Sequence, residues 1–253
     1  MIAFRINASG VTDTGIVRSV NEDSMALRSE EGLWVVADGM GGHTNGKWAS
    51  EQIAVMLSQV QLGADFDADV AAIGAAVQDA NIKIVLAAEK AGTVIGSTVA
   101  ILYLADARFA VLWAGDSRVY LCRDGKLVQL TLDHTYVQEL VASGALRPEE
   151  AKSHPNQHVL SRAIGVDAKL ELDAVADEAL PLDVFLLCSD GLTGLVSDAE
   201  IMERLHQFPP HVAAKRLLEL SLSRGAPDNV TIIVVRCEEK TKLEFAGSEY
   251  TDV

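Results

Sequence analysis

Residues 35–48 read VVADGMGGHTNGKW, and two interpretations of this stretch lead to different proteins. From Gly41 the letters follow most of the G-x-x-x-x-G-K pattern of a phosphate-binding P-loop. From Val35 they describe a short apolar strand that ends at a carboxylate, Asp38, and turns away through glycines. The first interpretation predicts a nucleotide-binding protein, and the second predicts one corner of a metal site.

The residues and strands that follow this stretch argue against the P-loop interpretation. Trp48 follows Lys47 at the position where a P-loop needs Ser or Thr to hold Mg²⁺. The strands that follow are joined by the short links 106–107, 116–117 and 124–125, which predict antiparallel pairing between successive strands. A nucleotide-binding parallel sheet requires crossover helices instead. The partial P-loop match is therefore interpreted as accidental.

Hydrophobic periodicity predicts an α+β fold in which helices cover antiparallel sheets. Strands are predicted at 1–9, 24–28, 32–38, 97–104, 108–115, 118–123, 126–131, 170–176, 183–189 and 229–237. Helices are predicted at 46–60, 68–91, 197–207 and 210–224, the third opening with a Ser197–Glu200 capping box. Residues 132–168 are polar and broken by Gly and Pro, which indicates a partly helical excursion and a candidate mobile flap.

Composition limits the function classes. The chain has 253 residues, 49% hydrophobic content and a formal charge of −15, which fits one large domain and disfavours nucleic-acid binding. The three cysteines form no C-x-x-C pair and lie in apolar runs, as expected for buried free thiols in a reducing compartment. Without a signal peptide or an uninterrupted apolar span, we expect a cytoplasmic monomer that does not engage a membrane.

Four aspartates lie at strand ends beside turn residues: Asp38, Asp116, Asp190 and Asp228. One such aspartate is an ordinary turn-former, but four are harder to dismiss. Adjacent strand ends of one sheet lie about 5 Å apart, so these carboxylates can converge, where they would repel one another and raise their own pKa values. A bound divalent cation removes that repulsion, and all-oxygen ligands favour Mg²⁺ or Mn²⁺ over zinc.

Eight short blocks then carry a resemblance to a known family. In chain order they are RSVNED (18–23), ADGMGGH (37–43), GST (96–98), WAGDSR (113–118), LTLDH (130–134), RAIG (162–165), CSDGL (188–192) and APDNVT (226–231). Together they resemble the metal-dependent PP2C-type serine/threonine protein phosphatases, and most of all the compact bacterial members. The resemblance implies a central antiparallel β-sandwich flanked by helices on both sides. It also implies a catalytic domain at 1–237, with the flap at about 134–165. Residues 238–253 are acidic and lack periodicity, which predicts a disordered tail.

The resemblance implies a binuclear Mn²⁺ or Mg²⁺ centre at one end of the sandwich. Asp38 would bridge both ions and Gly39 would offer its carbonyl oxygen. Asp190 and Asp228 would complete the protein ligands of one ion. Glu22 would approach the other ion through water.

Two further roles are implied in the same way. Asp116 would help Asp190 hold a third, weaker ion of the kind found in bacterial relatives. Arg18 matches the phosphate-binding arginine of the family. The implied substrates are phosphorylated proteins, and the implied counterpart is a bacterial serine/threonine kinase whose marks the enzyme removes.

The chemistry of phosphomonoester hydrolysis explains why these parts would be needed. Two ions about 3.5–4 Å apart deprotonate a bridging water near neutral pH and aim the hydroxide at phosphorus. The fork of Arg18 and the ions neutralise the equatorial oxygens, so no phosphoenzyme is required. Cys188 is interpreted as a strand-core residue, because the C-x5-R signature of tyrosine phosphatases is absent.

The general acid for the leaving oxygen stays unassigned. Animal-type members carry a histidine where this chain has Met40, so His43 or a metal-bound water is left as a candidate. The three flap histidines are interpreted as flap-surface residues in reach of substrate: His134, His154 and His158. Pro155 argues against a helix that would align the last two.

Two other functions stay open on the sequence. The chain could be a catalytically silent module that binds phosphoproteins, although the intact acids argue against it. The P-loop ATPase remains the third hypothesis, which loss of ATP binding in Lys47→Ala would test.

Overall fold

A computed structural model describes residues 4–42, 44–63, 65–151 and 154–239 of the chain. Its described part contains two β-sheets packed face to face. The strands are β1 (Arg5–Asp13), β2 (Asp23–Arg28), β3 (Leu33–Met40), β4 (Gly96–Ser97), β5 (Val99–Ala105), β6 (Arg108–Ala114), β7 (Arg118–Arg123), β8 (Lys126–Gln129), β9 (Asp173–Glu178), β10 (Val184–Cys188) and β11 (Val230–Glu238). The helices are α1 (Thr44–Ser58), α2 (Phe66–Ala91), α3 (Tyr136–Ala142), α4 (Pro148–Ala151), α5 (Asp190–Thr193), α6 (Asp198–Gln207) and α7 (Pro210–Ser223).

Both sheets are antiparallel. The first sheet has the order β1-β11-β10-β7-β8, and the second has the order β2-β3-β5-β6-β9, with β4 pairing onto β3. The predicted hairpins at 106–107 and 124–125 are confirmed, since they join β5 to β6 and β7 to β8. All four link residues have positive φ, which is the backbone of the turns that match strand twist in two-residue hairpins.

The predicted pairing across the third link, 116–117, is wrong. β6 belongs to the second sheet and β7 to the first, so residues 115–117 carry the chain from one sheet to the other. Gly115 makes the crossing possible, because its φ of 109° is a conformation that side chains with a Cβ rarely adopt. The link is as short as a hairpin, and length alone could not separate the two outcomes.

Three apolar layers hold the fold together. Between the sheets, residues such as Trp34 and Val36 pack against Phe185 and Ile233. A second layer joins α1 and α2 to the outer face of the second sheet, and a third joins α6 and α7 to the outer face of the first. The result is an αββα arrangement, which confirms the predicted fold class. The three cysteines are free and buried, also as predicted.

The helices agree with their predicted periodicity. In α2 the side chains of Ile73, Val77 and Ile84 are fully buried against the second sheet. By length and composition α2 could also cross a membrane, a property shared by core helices of water-soluble proteins. The capping box of α6 is present, with the Ser197 backbone N–H donating to the Glu200 carboxylate at 3.1 Å.

The segment predicted as a partly helical excursion contains α3 and α4, which confirms the prediction. Its two ends are tied down by isolated β-bridges, one between Thr135 and Leu160 and one between Ser97 and Ile164. Several strand and helix boundaries differ from prediction by one to four residues. β1 continues to Asp13, because its second half pairs with β11, and β11 continues to Glu238, the first residue of the predicted tail. Residues 240–253 lie outside the described part.

Candidate metal centre

The four strand-end aspartates lie at one end of the β-sandwich, and they come from both sheets. Asp38 is in β3 of the second sheet, while Asp116 lies in the crossing between the sheets. Asp190 follows β10 as the first residue of α5, and Asp228 precedes β11, so both belong to the first sheet. The expectation that these acids share the edge of one sheet is therefore wrong. The site is a seam between two sheets.

The pKa shifts show that these carboxylates interact electrostatically with one another. Burial raises the pKa of Asp38 well above its usual range, and the charges of four neighbouring aspartates raise it further. Burial and the charge of Asp190 raise the pKa of Asp116 to about 8. Without a cation, such a cluster resists full ionisation at neutral pH. The arrangement therefore favours binding of positive charge.

Asp23 is a fifth member of the cluster that the sequence analysis did not single out. It lies opposite Asp38 in the β2–β3 register and is 7% exposed. Ser189 donates a hydrogen bond to its Oδ2 at 2.8 Å. Burial raises its pKa to about 7, with Asp190 and Asp228 adding to the increase. Pairing 24–28 with 32–38 as a hairpin would have placed Asp23 beside Asp38.

Glu22 lies where β2, β3 and α1 meet. Its backbone carbonyl accepts from the Gly39 N–H at 3.1 Å and from the Ser50 hydroxyl at 2.5 Å, and its own N–H donates to the Asn229 side chain at 2.8 Å. A Cβ on Gly46 would lie 2.3 Å from Glu22 Oε1, so glycine is what leaves room for this carboxylate. Gly39 faces the same crowding, since its Cβ would meet the Gly46 carbonyl oxygen at 2.1 Å.

Arg18 reaches the cluster from the loop after β1. Its Nη2 donates to Asp228 Oδ2 at 2.7 Å, and its side chain is 46% exposed. This hydrogen bond, with the charges of Asp228, Glu22 and Asp38, raises the pKa of Arg18. The guanidinium is therefore held at the rim of the acidic cluster and remains open to solvent.

The flap histidines divide into two groups. His158 is exposed, and its Nδ1 lies 3.5 Å from Asp190 Oδ2, a contact that raises its pKa. His134 is buried, so its interpretation as a flap-surface residue is wrong. Its Nδ1 accepts from the Gly115 N–H at 3.1 Å, and its Nε2 lies 3.2 Å from Asp173 Oδ2. Burial lowers its pKa.

The other predicted histidines and Lys47 contribute less. His154 is partly buried, and its Nδ1 accepts from the Asn156 N–H at 3.1 Å. No helix spans His154 to His158, as Pro155 predicts. His43 lies outside the described residues. Lys47 points along α1 toward Glu51, 3.8 Å away, which agrees with rejecting the P-loop.

A groove of about 790 Å³ opens beside Asp116 and Asp190. One wall is the flap, with Val137 and Val141 of α3, and the other is the turn from α5 to α6 around Leu195. The groove leads to the acidic cluster, because Asp116 and Asp190 are among its lining residues.

The cluster fits hard divalent cations by its donor chemistry, because all its side-chain donors are carboxylate oxygens. Within the described ranges, no three His, Cys, Asp or Glu side chains are gathered closely enough to enclose an ion by themselves. Mg²⁺ commonly binds through one or two carboxylates and keeps several waters, so a hydrated ion suits this spacing. Asp38, Asp190 and Asp228 are the side chains that would hold it.

Comparison with known proteins shows the family of this chain. The family model described as "Protein phosphatase 2C" matches residues 5–140, more than half of the chain. The serine/threonine protein phosphatase PstP of Mycobacterium tuberculosis is 40% identical over 228 residues, which cover 88% of this chain. The chain spans 43% of the length of that relative. The serine/threonine phosphatase stp of Listeria innocua is 34% identical over 235 residues, covering 88% of this chain and 93% of the relative.

Solved structures give the same result. The catalytic domain of PstP, crystallised in complex with two manganese ions, superimposes with a TM-score of 0.82 at 36% identity, covering 92% of this chain and 99% of that one. The αββα fold and these matches define the class as metal-dependent protein phosphatases. The chain belongs to the protein phosphatase 2C family.

Proposed function

We propose that this chain hydrolyses phosphoserine and phosphothreonine on proteins, using Mn²⁺ or Mg²⁺ held by Asp38, Asp190 and Asp228. The observation that carries the proposal is the meeting of carboxylates from both sheets at one seam, with the pKa of Asp38 raised well above its usual range. Such a seam favours the binding of divalent cations, which supports the proposal. When bound, the ions supply Lewis-acid activation of water and neutralise phosphate charge.

The side chains around the seam have separable tasks in this proposal. Arg18, exposed at the rim, binds the phosphate of the substrate with its planar fork. Glu22 would approach one ion through water, and Asp116 with Asp190 would hold a third ion. Gly39 brings its backbone close to the centre because it lacks a Cβ. No side-chain nucleophile is needed, and the buried thiol of Cys188, whose pKa burial raises to about 12, is unsuited to that role.

The source of the leaving-group proton remains a separate part of the proposal. Met40 cannot donate one. His158, which contacts Asp190 from the flap, and a metal-bound water are the donors we propose, and the 3.5 Å contact with Asp190 supports the first. The structural description does not extend to His43.

A direct experiment measures release of phosphate from a phosphothreonine peptide by metal-stripped protein as Mn²⁺ is added. Activity should rise with Mn²⁺ and vanish with a chelator. Asp38→Asn and Asp190→Asn should each abolish turnover, while Asp79→Asn, on the exposed side of α2, should retain it. Unchanged turnover in both site variants would contradict the proposal. Tight phosphopeptide binding by the wild-type protein without turnover at saturating Mn²⁺ would indicate a binding module instead.

The cellular partners and location of the chain are part of this proposal. The partners would be phosphorylated proteins and a serine/threonine kinase, and the location would be the cytoplasm. The −15 formal charge supports exclusion of nucleic acid, because phosphate backbones are repelled by such a surface. The free cysteines support a reducing compartment.

A further inference from the structure

A buried pair of hydroxyls connects two of the candidate metal ligands through the backbone. Thr98 lies where β4 passes into β5, and Ser117 lies in the crossing between the sheets. Their oxygens are 2.7 Å apart, and the residues are 2% and 1% exposed. Neither residue was singled out as functional by the sequence.

Thr98 forms hydrogen bonds with both the backbone N–H and the backbone carbonyl of Asp38. The Asp38 N–H donates to Thr98 Oγ1 at 3.0 Å, and the Thr98 N–H donates to the Asp38 carbonyl at 2.8 Å. The hydroxyl of Ser97 adds a second hydrogen bond to that carbonyl, at 2.9 Å. Asp38 is therefore fixed at its backbone while its carboxylate stays available.

The same Thr98 side chain fixes the crossing that carries Asp116. Its hydroxyl can accept from Asp38 and still share a hydrogen with Ser117, the residue after Asp116. Its methyl group packs against Gly115, where a Cβ would lie 2.6 Å from both Thr98 Cβ and Cγ2. One threonine thus contacts both flanks of Asp116 and the peptide of Asp38.

We infer that Thr98 is a positioning residue whose hydroxyl sets the spacing between Asp38 and Asp116 for divalent-cation binding. The inference rests on the proposed metal-dependent function, because it needs Asp38 and Asp116 to face neighbouring ions, with Asp190 contributing to both. Residues that orient metal ligands typically change metal affinity by 10–100-fold when they are replaced.

The test uses the full chain, stripped of metal, in calorimetric titration with Mn²⁺. Thr98→Val keeps the shape but removes the hydroxyl, and we expect it to weaken Mn²⁺ binding by about 10-fold or more. Thr98→Ser restores the hydroxyl and should recover most of that loss. Thr131→Val is the matched control, since Thr131 is also buried and accepts a backbone N–H, but from Val119, at 3.3 Å, and not from Asp38.

The outcomes separate the inference from the proposed function. If Thr98→Val and Thr131→Val lower the melting temperature alike and both bind Mn²⁺ as the wild type does, Thr98 is merely structural and the inference is overturned. If the wild type itself binds no Mn²⁺, the proposed function fails first. Should Thr98→Val not fold, Ser117→Ala provides the same titration, and wild-type affinity in that variant would also overturn the inference.

A second readout needs no metal. In the stripped protein, the amide proton of Asp38 should exchange with solvent faster in Thr98→Val than in the wild type, because it loses its buried acceptor. Thr98→Ser and Thr131→Val should leave that exchange rate unchanged. Equal exchange in Thr98→Val and the wild type would contradict the coupling.

Discussion

Asp23 and Asp38 face each other across neighbouring strands of the second sheet, two carboxyls in direct register at the rim of the sandwich. Like charges in that position oppose folding whenever both are ionised. Burial raises the pKa of both acids, and the charge of Asp23 raises that of Asp38 further. Repulsion between these carboxylates therefore destabilises the folded protein without metal, and a bound cation would relieve that repulsion.

The first prediction concerns the pH dependence of stability in the metal-free protein. The folded pKa values of Asp23 and Asp116 are raised to about 7 and about 8, above those of the unfolded chain. The folded protein thus holds protons that the unfolded chain has released, and stability falls as pH rises. Melting in a chelator should occur at a lower temperature at pH 8.5 than at pH 6.5.

Each kcal/mol of lost stability corresponds to a decrease of about 2–4 °C for a domain near this size. Excess Mn²⁺ should raise both melting temperatures and narrow their difference, because it binds the folded form. Asp38→Asn, which removes one of the repelling charges, should flatten the pH dependence without metal. A metal-free protein that melts at the same temperature at both pH values would refute the prediction.

The second prediction concerns Arg18. Replacing it with Ala should lower kcat/KM for a phosphothreonine peptide by about 100-fold, the usual cost of losing one electrostatic donor to a reacting group. Arg18→Lys should recover only part of that loss, because an ammonium cannot form the planar fork. Arg5→Ala is the control, since Arg5 is 78% exposed on β1, 3.8 Å from Glu238. Equal kcat/KM in Arg18→Ala and Arg5→Ala would exclude a role in phosphate binding.

The third prediction concerns Gly46, which leaves room for the Glu22 carboxylate because it has no side chain. Gly46→Ala should lower the melting temperature and weaken Mn²⁺ binding, because its Cβ would lie 2.3 Å from Glu22 Oε1 and 2.8 Å from backbone atoms of Gly39. Gly74→Ala lies within α2 and meets nothing within 4 Å, so it should stabilise by about 0.5–1 kcal/mol. Thermal melting and Mn²⁺ titration of the two variants measure both effects. The changes in melting temperature of the two variants should have opposite signs. A Gly46→Ala variant that melts and binds Mn²⁺ as the wild type does would contradict the packing argument.

The fourth prediction concerns the attachment of the flap. His134→Phe keeps an aromatic ring beside Trp113, whose ring centroid is 6.1 Å from that of His134, but leaves the Gly115 N–H without its acceptor. The expected loss is about 1–3 kcal/mol in urea unfolding, together with faster proteolysis within 134–165. His206→Phe, on the exposed end of α6, provides the control. Proteolysis at the wild-type rate would indicate that His134 does not anchor the flap.

The order of strands and helices could be predicted from the sequence because hydrophobic period and turn residues are local signals. The destination of each strand is not local. Residues 116–117 look like another hairpin, and only the pairing of β6 and β7 with strands distant along the chain shows that the chain changes sheets there. The convergence of Asp38 with Asp190 was inferred from strand ends, but its location between two sheets could not be.

Burial was the other property that the sequence left open. His134 and His158 both lie in a polar flap sequence, yet one is 7% exposed and the other has a side chain that is 71% exposed. Asp23 directly follows Glu22 in the block RSVNED, and the local sequence does not indicate that its carboxyl is buried. In each case, tertiary partners such as Gly115, Asp173 and Ser189 decide the environment, and these partners are distant along the chain.

The passage of residues 115–117 from one sheet to the other has a mechanical consequence. A cation held between Asp38 on one side and Asp190 on the other would cross-link the two sheets beside this covalent crossing. Sliding of one half past the other would then pull directly on the ion. Turnover and resistance to shear would share the same carboxylates, so selection on either property would constrain the other.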